Sequence, residues 1–125
     1  MISPRLLLCL CAGTGALAVI AGAFGAHALK PVLSGTSMAT WQTAVFYHLV
    51  HASLATAIVH TGRFRWSVYA VVCLLTGCLL FSGSLYALAL GGPRWLGPIT
   101  PLGGLCFIVG WLSLAIGAWR QPHEE

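Results

Sequence analysis

"LLLCLCAGTGALAVIAGAFGAHAL", Leu6 to Leu29, runs from Arg5 to Lys30 without one charged residue. A helix needs about 20 apolar residues to cross a bilayer, so this run is long enough for a tilted span. Pro31 stops it, and "LSGTSMAT" reads as a short polar connection. Three further runs follow, each closed by Gly, Pro or basic residues. The predicted spans are 6–29, 41–61, 67–90 and 101–119.

Composition leaves no other solvent for these surfaces. Of 125 residues, 58% are hydrophobic and 6% are charged, with a mean hydropathy of +0.90. A soluble domain carries roughly a quarter charged residues. Asp is absent, and the acids are Glu124 and Glu125. The expected fold is an all-α integral membrane protein: one domain over residues 1–125, a compact four-transmembrane-helix bundle. Ala26–His27–Ala28 after a basic start also fits a small-x-small cleavage pattern. The apolar run is about twice a signal-peptide core, however, and is laced with glycine, so a retained first helix is expected.

Four spans put both termini on one side. Arg5, Arg63, Arg65 and Arg120 fall there, against Lys30 and Arg94 on the other, which predicts cytoplasmic termini in an inner membrane. Trp41 and Trp95 are expected at the outer interface, Trp66 and Trp119 at the inner one. The net charge of +4 does not point to nucleic acid, because the bases punctuate the runs singly or in a pair and form no track. The five cysteines all sit in apolar runs without C-x-x-C spacing, as small buried hydrophobes do.

Lipid tails are as apolar as leucine, so helices must be held together by close approach at small residues. Gly103, Cys106, Gly110, Ser113 and Gly117 form such a seam in the fourth run. Gly15, Ala18, Gly22 and Gly25 or Ala26 form another in the first, and Gly83, Ala87 and Gly91 a third. Close packing of the first helix on the fourth is expected from the first two.

Polar residues gather in the outer half. His48 and His51 share a helical face with Trp41, Ala44 and Ala55, about 10 and 15 Å below Trp41 by helical rise. His27 ends the first run; Tyr47, Ser82, Ser84, Tyr86 and Thr100 complete the cluster. His27 is expected to be buried beside His48 and His51 and to hydrogen-bond the third or fourth helix. His60 and His123 are read as interfacial or solvated. Polarity at membrane depth is by default a functional-site hypothesis, and interhelical locking is the alternative; the spacing alone leaves both open.

No acidic residue within the spans can orient a histidine for catalysis, so no enzyme is expected. No carboxylate or spaced thiolate joins the histidines, so no metal or other cofactor is predicted. Haem ligation by His27 and His48 is a minor alternative. An oligomeric channel or carrier for an anion or small solute is a stronger one. The leading expectation is a non-enzymatic membrane protein binding a partner subunit or small ligand, with the bilayer, a homo-oligomer or a membrane complex as its partners.

"GAFGAHAL", "WQTAVFYHLVHA", "FSGSLYALAL" and "ITPLGGLCFIVGW", in this order along nearly the whole chain, resemble the motifs of one family. It is the domain of unknown function 423 family, which includes animal transmembrane protein 256. The resemblance implies a four-helix inner-membrane protein in bacteria and implies no activity. Its motif positions fall on His27, Trp41, Tyr47, His48, His51, Ser82, Gly83, Ser84, Tyr86, Thr100, Pro101 and Gly103.

Overall fold

The computed structural model describes residues 2–62 and 67–121. Among the described residues four helices are long and apolar enough to cross a membrane: α1 (Pro4–Leu29), α2 (Gly35–Thr61), α3 (Ser67–Ala89) and α4 (Arg94–Trp119). Arg63, Arg65, Trp66 and His123, read above as inner-side markers and tail, lie outside the described residues.

Local chemistry sets the helix ends. Ser3 Oγ accepts from the Leu6 N–H at 3.2 Å, with Pro4 just inside α1, where proline's missing N–H costs nothing. Ser34 caps α2 in the same way, accepting from the Ser37 N–H at 3.2 Å. α2 therefore begins at Gly35, six residues before the Trp41 start expected from hydropathy. The polar stretch can be helical because Thr40 and Thr43 return their hydroxyls to the Thr36 and Ala39 carbonyls, at 3.1 and 3.0 Å. Gly62, at φ 61°, closes α2 in the left-handed conformation that glycine adopts without a Cβ penalty.

Two helices contain a widened turn. One is Gly25–Leu29 at the end of α1, the other Cys78–Ser82 inside α3. In the second, the Gly83 N–H reaches the Cys78 carbonyl, five residues back. Both turns lie against the N-terminal half of α2.

The packing order is α1 on α2, α2 on α3, and α3 on α4. Among the described residues α1 and α4 do not form a packed pair, contrary to expectation. The small-residue seam of α4 faces α3 instead. A Cβ on Gly103 would run into the Phe81 backbone, and one on Gly110 would come within 2.9 Å of Leu74 Cδ2. Gly117 is also buried. On α1, a Cβ at Gly22 would meet Val45 at 3.3 Å, and one at Gly25 would meet the Trp41 indole at 2.5 Å. Gly83 has open space around it and is no packing glycine. Small residues announce that a neighbour comes close without saying which neighbour.

The core has two parts. Leu7, Cys11, Ala55, Ile58, Val71, Leu74, Cys78 and Phe107 form one cluster, and Leu29, Trp41 and Ala89 the other. Trp41, expected at the headgroups, is only 7% exposed; the gap at Gly25 draws its indole inward. Trp95 and Trp119 are exposed.

Candidate functional site

The buried face of α2 carries Trp41, Ala44, His48, His51, Ala52, Ala55 and Ile58, the three-and-four spacing of a helix buried along one side. Every polar group on this face reaches another backbone or side chain. Trp41 Nε1 donates to the Ala21 carbonyl on α1 at 2.9 Å. Its ring lies 4.6 Å from that of Tyr86 on α3. His48, 8% exposed, shares a 2.9 Å hydrogen bond between Nδ1 and the Tyr86 hydroxyl. Ser82 Oγ, fully buried, donates to the Ala44 carbonyl at 2.8 Å. Ser84 on α3 and Thr100 on α4 join hydroxyls at 2.6 Å. These bonds tie α1, α2, α3 and α4 in sequence.

His51 has different neighbours. Its Nδ1 lies 2.7 Å from the Tyr47 carbonyl, and Trp111 Nε1 on α4 donates to its Nε2 at 3.1 Å. A carbonyl only accepts, so Nδ1 carries the proton and Nε2 presents its lone pair to the indole. The two bonds fix a neutral imidazole in one tautomer. Phe107 stacks on the ring at 3.7 Å, with planes 14° apart. Doubly protonated, His51 would turn a donor toward the Trp111 N–H, so this arrangement requires the uncharged ring.

Beside His51 a groove of about 490 Å³ separates α2 from α4. Tyr47, Phe81, Phe107 and Trp111 supply its rings, while Pro101, Gly104, Leu105 and Ile108 line the α4 side. Leu105 and Ile108 are more than half exposed, so the groove opens sideways, onto the surface that lipid would wet.

The expected cluster is thus divided. Trp41, His48 and Tyr86 meet; Ser84 meets Thr100; Tyr47 stacks with His51 at 5.9 Å. His27 joins none of them and is exposed. Gly25 and Leu29 are the buried positions of that turn, and a residue midway between them falls on the opposite face. His27 is therefore neither beside His48 and His51 nor placed to share a haem with His48. Among the described residues no group of three or more His, Cys, Asp or Glu is arranged to hold a metal.

Phe81, Phe107 and Trp111 were not among the expected site residues. Trp111 had a legible signal: it is a tryptophan in the middle of an apolar run, away from either interface. Phe107 and Gly104 precede it by four and seven residues, which places all three on one face.

Comparison with known proteins agrees with the helices. The family model described as "Protein of unknown function (DUF423)" matches residues 21–104. A UPF0382 membrane protein of Staphylococcus saprophyticus is 45% identical over 106 residues, covering 83% of this chain and 88% of its own. The UPF0382 inner membrane protein YgdD of Escherichia coli is 38% identical over 125 residues, covering 98% and 95%. No solved structure matches the chain.

Proposed function

The chain belongs to the DUF423 family of inner-membrane proteins, and on that premise we propose that it is a non-enzymatic binding protein whose site is the aromatic groove between α2 and α4. The observation that carries this reading is the contrast between paired and open surface. His48, Ser82, Ser84, Thr100, Tyr86 and Trp41 spend their polar groups on one another or on backbone carbonyls. Unsatisfied polar groups are costly in lipid, so these residues act as interhelical locks. The same pairing leaves these residues unavailable to line a solute path, which argues against the channel reading. The groove is open, ring-lined and held in shape by His51 and Trp111. Its occupant is a small lipid-soluble ligand or a helix of a partner subunit. The distribution of basic residues supports cytoplasmic termini.

A photo-cross-linking residue at Ile108, inside the groove, tests this in native membranes, with one at the exposed Leu17 of α1 as control. Ile108 is expected to give a discrete adduct of defined mass and Leu17 only heterogeneous lipid adducts. Indistinguishable adducts from the two positions would overturn the reading.

A further inference from the structure

Tyr47 sits near the middle of α2, a helix of 27 residues. By helical rise that is about 9 Å inside Trp41, where the hydropathy places the start of the span. Its side chain is 38% exposed and lines the groove. Among the described residues its hydroxyl has no hydrogen-bond partner, whereas Tyr86 bonds His48. A phenol O–H at this depth gains a bond only from something that comes to it.

Resting on the reading of the groove as the binding site, we propose that its occupant is a neutral, lipid-soluble molecule of the quinone class, a flat conjugated ring bearing a carbonyl oxygen. Four observations give that chemistry. The walls are flat rings, with Tyr47 and Phe81 centroids 4.7 Å apart and Phe107 stacked near-parallel to Tyr47 at 6.2 Å. Such walls favour a planar ligand that stacks offset or edge-on. No charged residue lines the groove, so an ionic ligand would enter uncompensated. Both nitrogens of His51 and the Trp111 N–H are already engaged, which leaves the Tyr47 hydroxyl as the polar handle. That handle can donate or accept; toward an aprotic ring it donates, and a ring carbonyl is the acceptor it would meet. An acyl chain offers no acceptor at this depth, and the backbone carbonyls of a partner helix are used within that helix.

The full-length protein in phosphatidylcholine liposomes, titrated with decylubiquinone, tests the proposal through quenching of tryptophan fluorescence. Wild type is expected to show a saturable component attributable to Trp111 and absent in Trp111→Phe. Tyr47→Phe should keep the helical spectrum and melting temperature while raising half-saturation about fivefold, the loss of one hydrogen bond. Gly104→Leu should abolish saturation without unfolding, since a Cβ there meets Phe81 only at ordinary contact distance, 3.8 Å. Quenching that stays linear in wild type, or half-saturation unchanged in Tyr47→Phe, would overturn it. If quenching is linear but Ile108 still cross-links a discrete protein, a partner helix occupies the groove; this inference falls and the binding reading stands. If neither appears, both fall.

Discussion

His48 and His51 are one turn apart on the same face of α2, both buried, and they do opposite things. His48 turns toward α3, bonds Tyr86 and takes the Cys78 thiol on its backbone carbonyl, in a packed interior. His51 turns toward α4, takes the Trp111 N–H and forms part of an open groove. The difference teaches that a polar residue at membrane depth is classified by the surface beyond its partner. A residue three positions along can lock two helices or hold open the gap between two others.

Four measurements would break or sharpen this contrast. The largest effect is expected from Gly103→Leu, because the new side chain meets Phe81 backbone that has nowhere to retreat. Overpacking costs about 3 kcal/mol here and should separate α4 from α3, removing both the Ser84–Thr100 bond and the groove wall. Thermal unfolding in detergent checks it, and a melting temperature equal to wild type would contradict the α3–α4 seam.

Next come two double-mutant cycles. His48→Ala with Tyr86→Phe should give a coupling of about 1 kcal/mol, within the range for interhelical hydrogen bonds in membranes. His51→Ala with Trp111→Phe should couple more weakly, about 0.5 kcal/mol, because Trp111 is nearly half exposed. Equal couplings, or the reverse order, would remove the distinction between lock and groove. The smallest effect belongs to His27→Ala, within about 0.5 kcal/mol as at other surface positions. A larger loss would return His27 to the polar cluster.

The spans were legible because a long uncharged run has one comfortable environment, and the inward face of α2 because its spacing is that of a helix. The neighbours were not legible. The α4 seam of Gly103 and Gly110 states close approach, yet topology assigns it to α3 rather than α1. His27 was misplaced because the small residues of "GAFGAHAL" suggested a close approach that would bury it. The inward positions there belong to Gly25 and Leu29, and one step of helical phase moves a side chain from core to surface. Trp41 lay on that legible face, yet its place near a span end pointed to the headgroups, a preference that the gap at Gly25 outweighs. Trp111 was missed because its acceptor, His51, belongs to another helix. The groove has no signature in sequence at all, since it is the space left between two helices that meet only through side chains.

The widened turn at Cys78–Ser82 has a mechanical meaning. One residue of an α-helix subtends about 100°, so an extra residue accommodated in a single turn rotates everything after it relative to everything before. α3 is thereby divided into two segments with independent azimuths. The first aims Val71 and Leu74 into the inner core. The second aims Ser84 and Tyr86 at Thr100 and His48. Ser82, at the junction, pins the setting by donating to the Ala44 carbonyl. An unbroken α-helical α3 could satisfy one of these azimuths but would swing the other away, so the widened turn serves as the index notch that lets one rod fit two sockets.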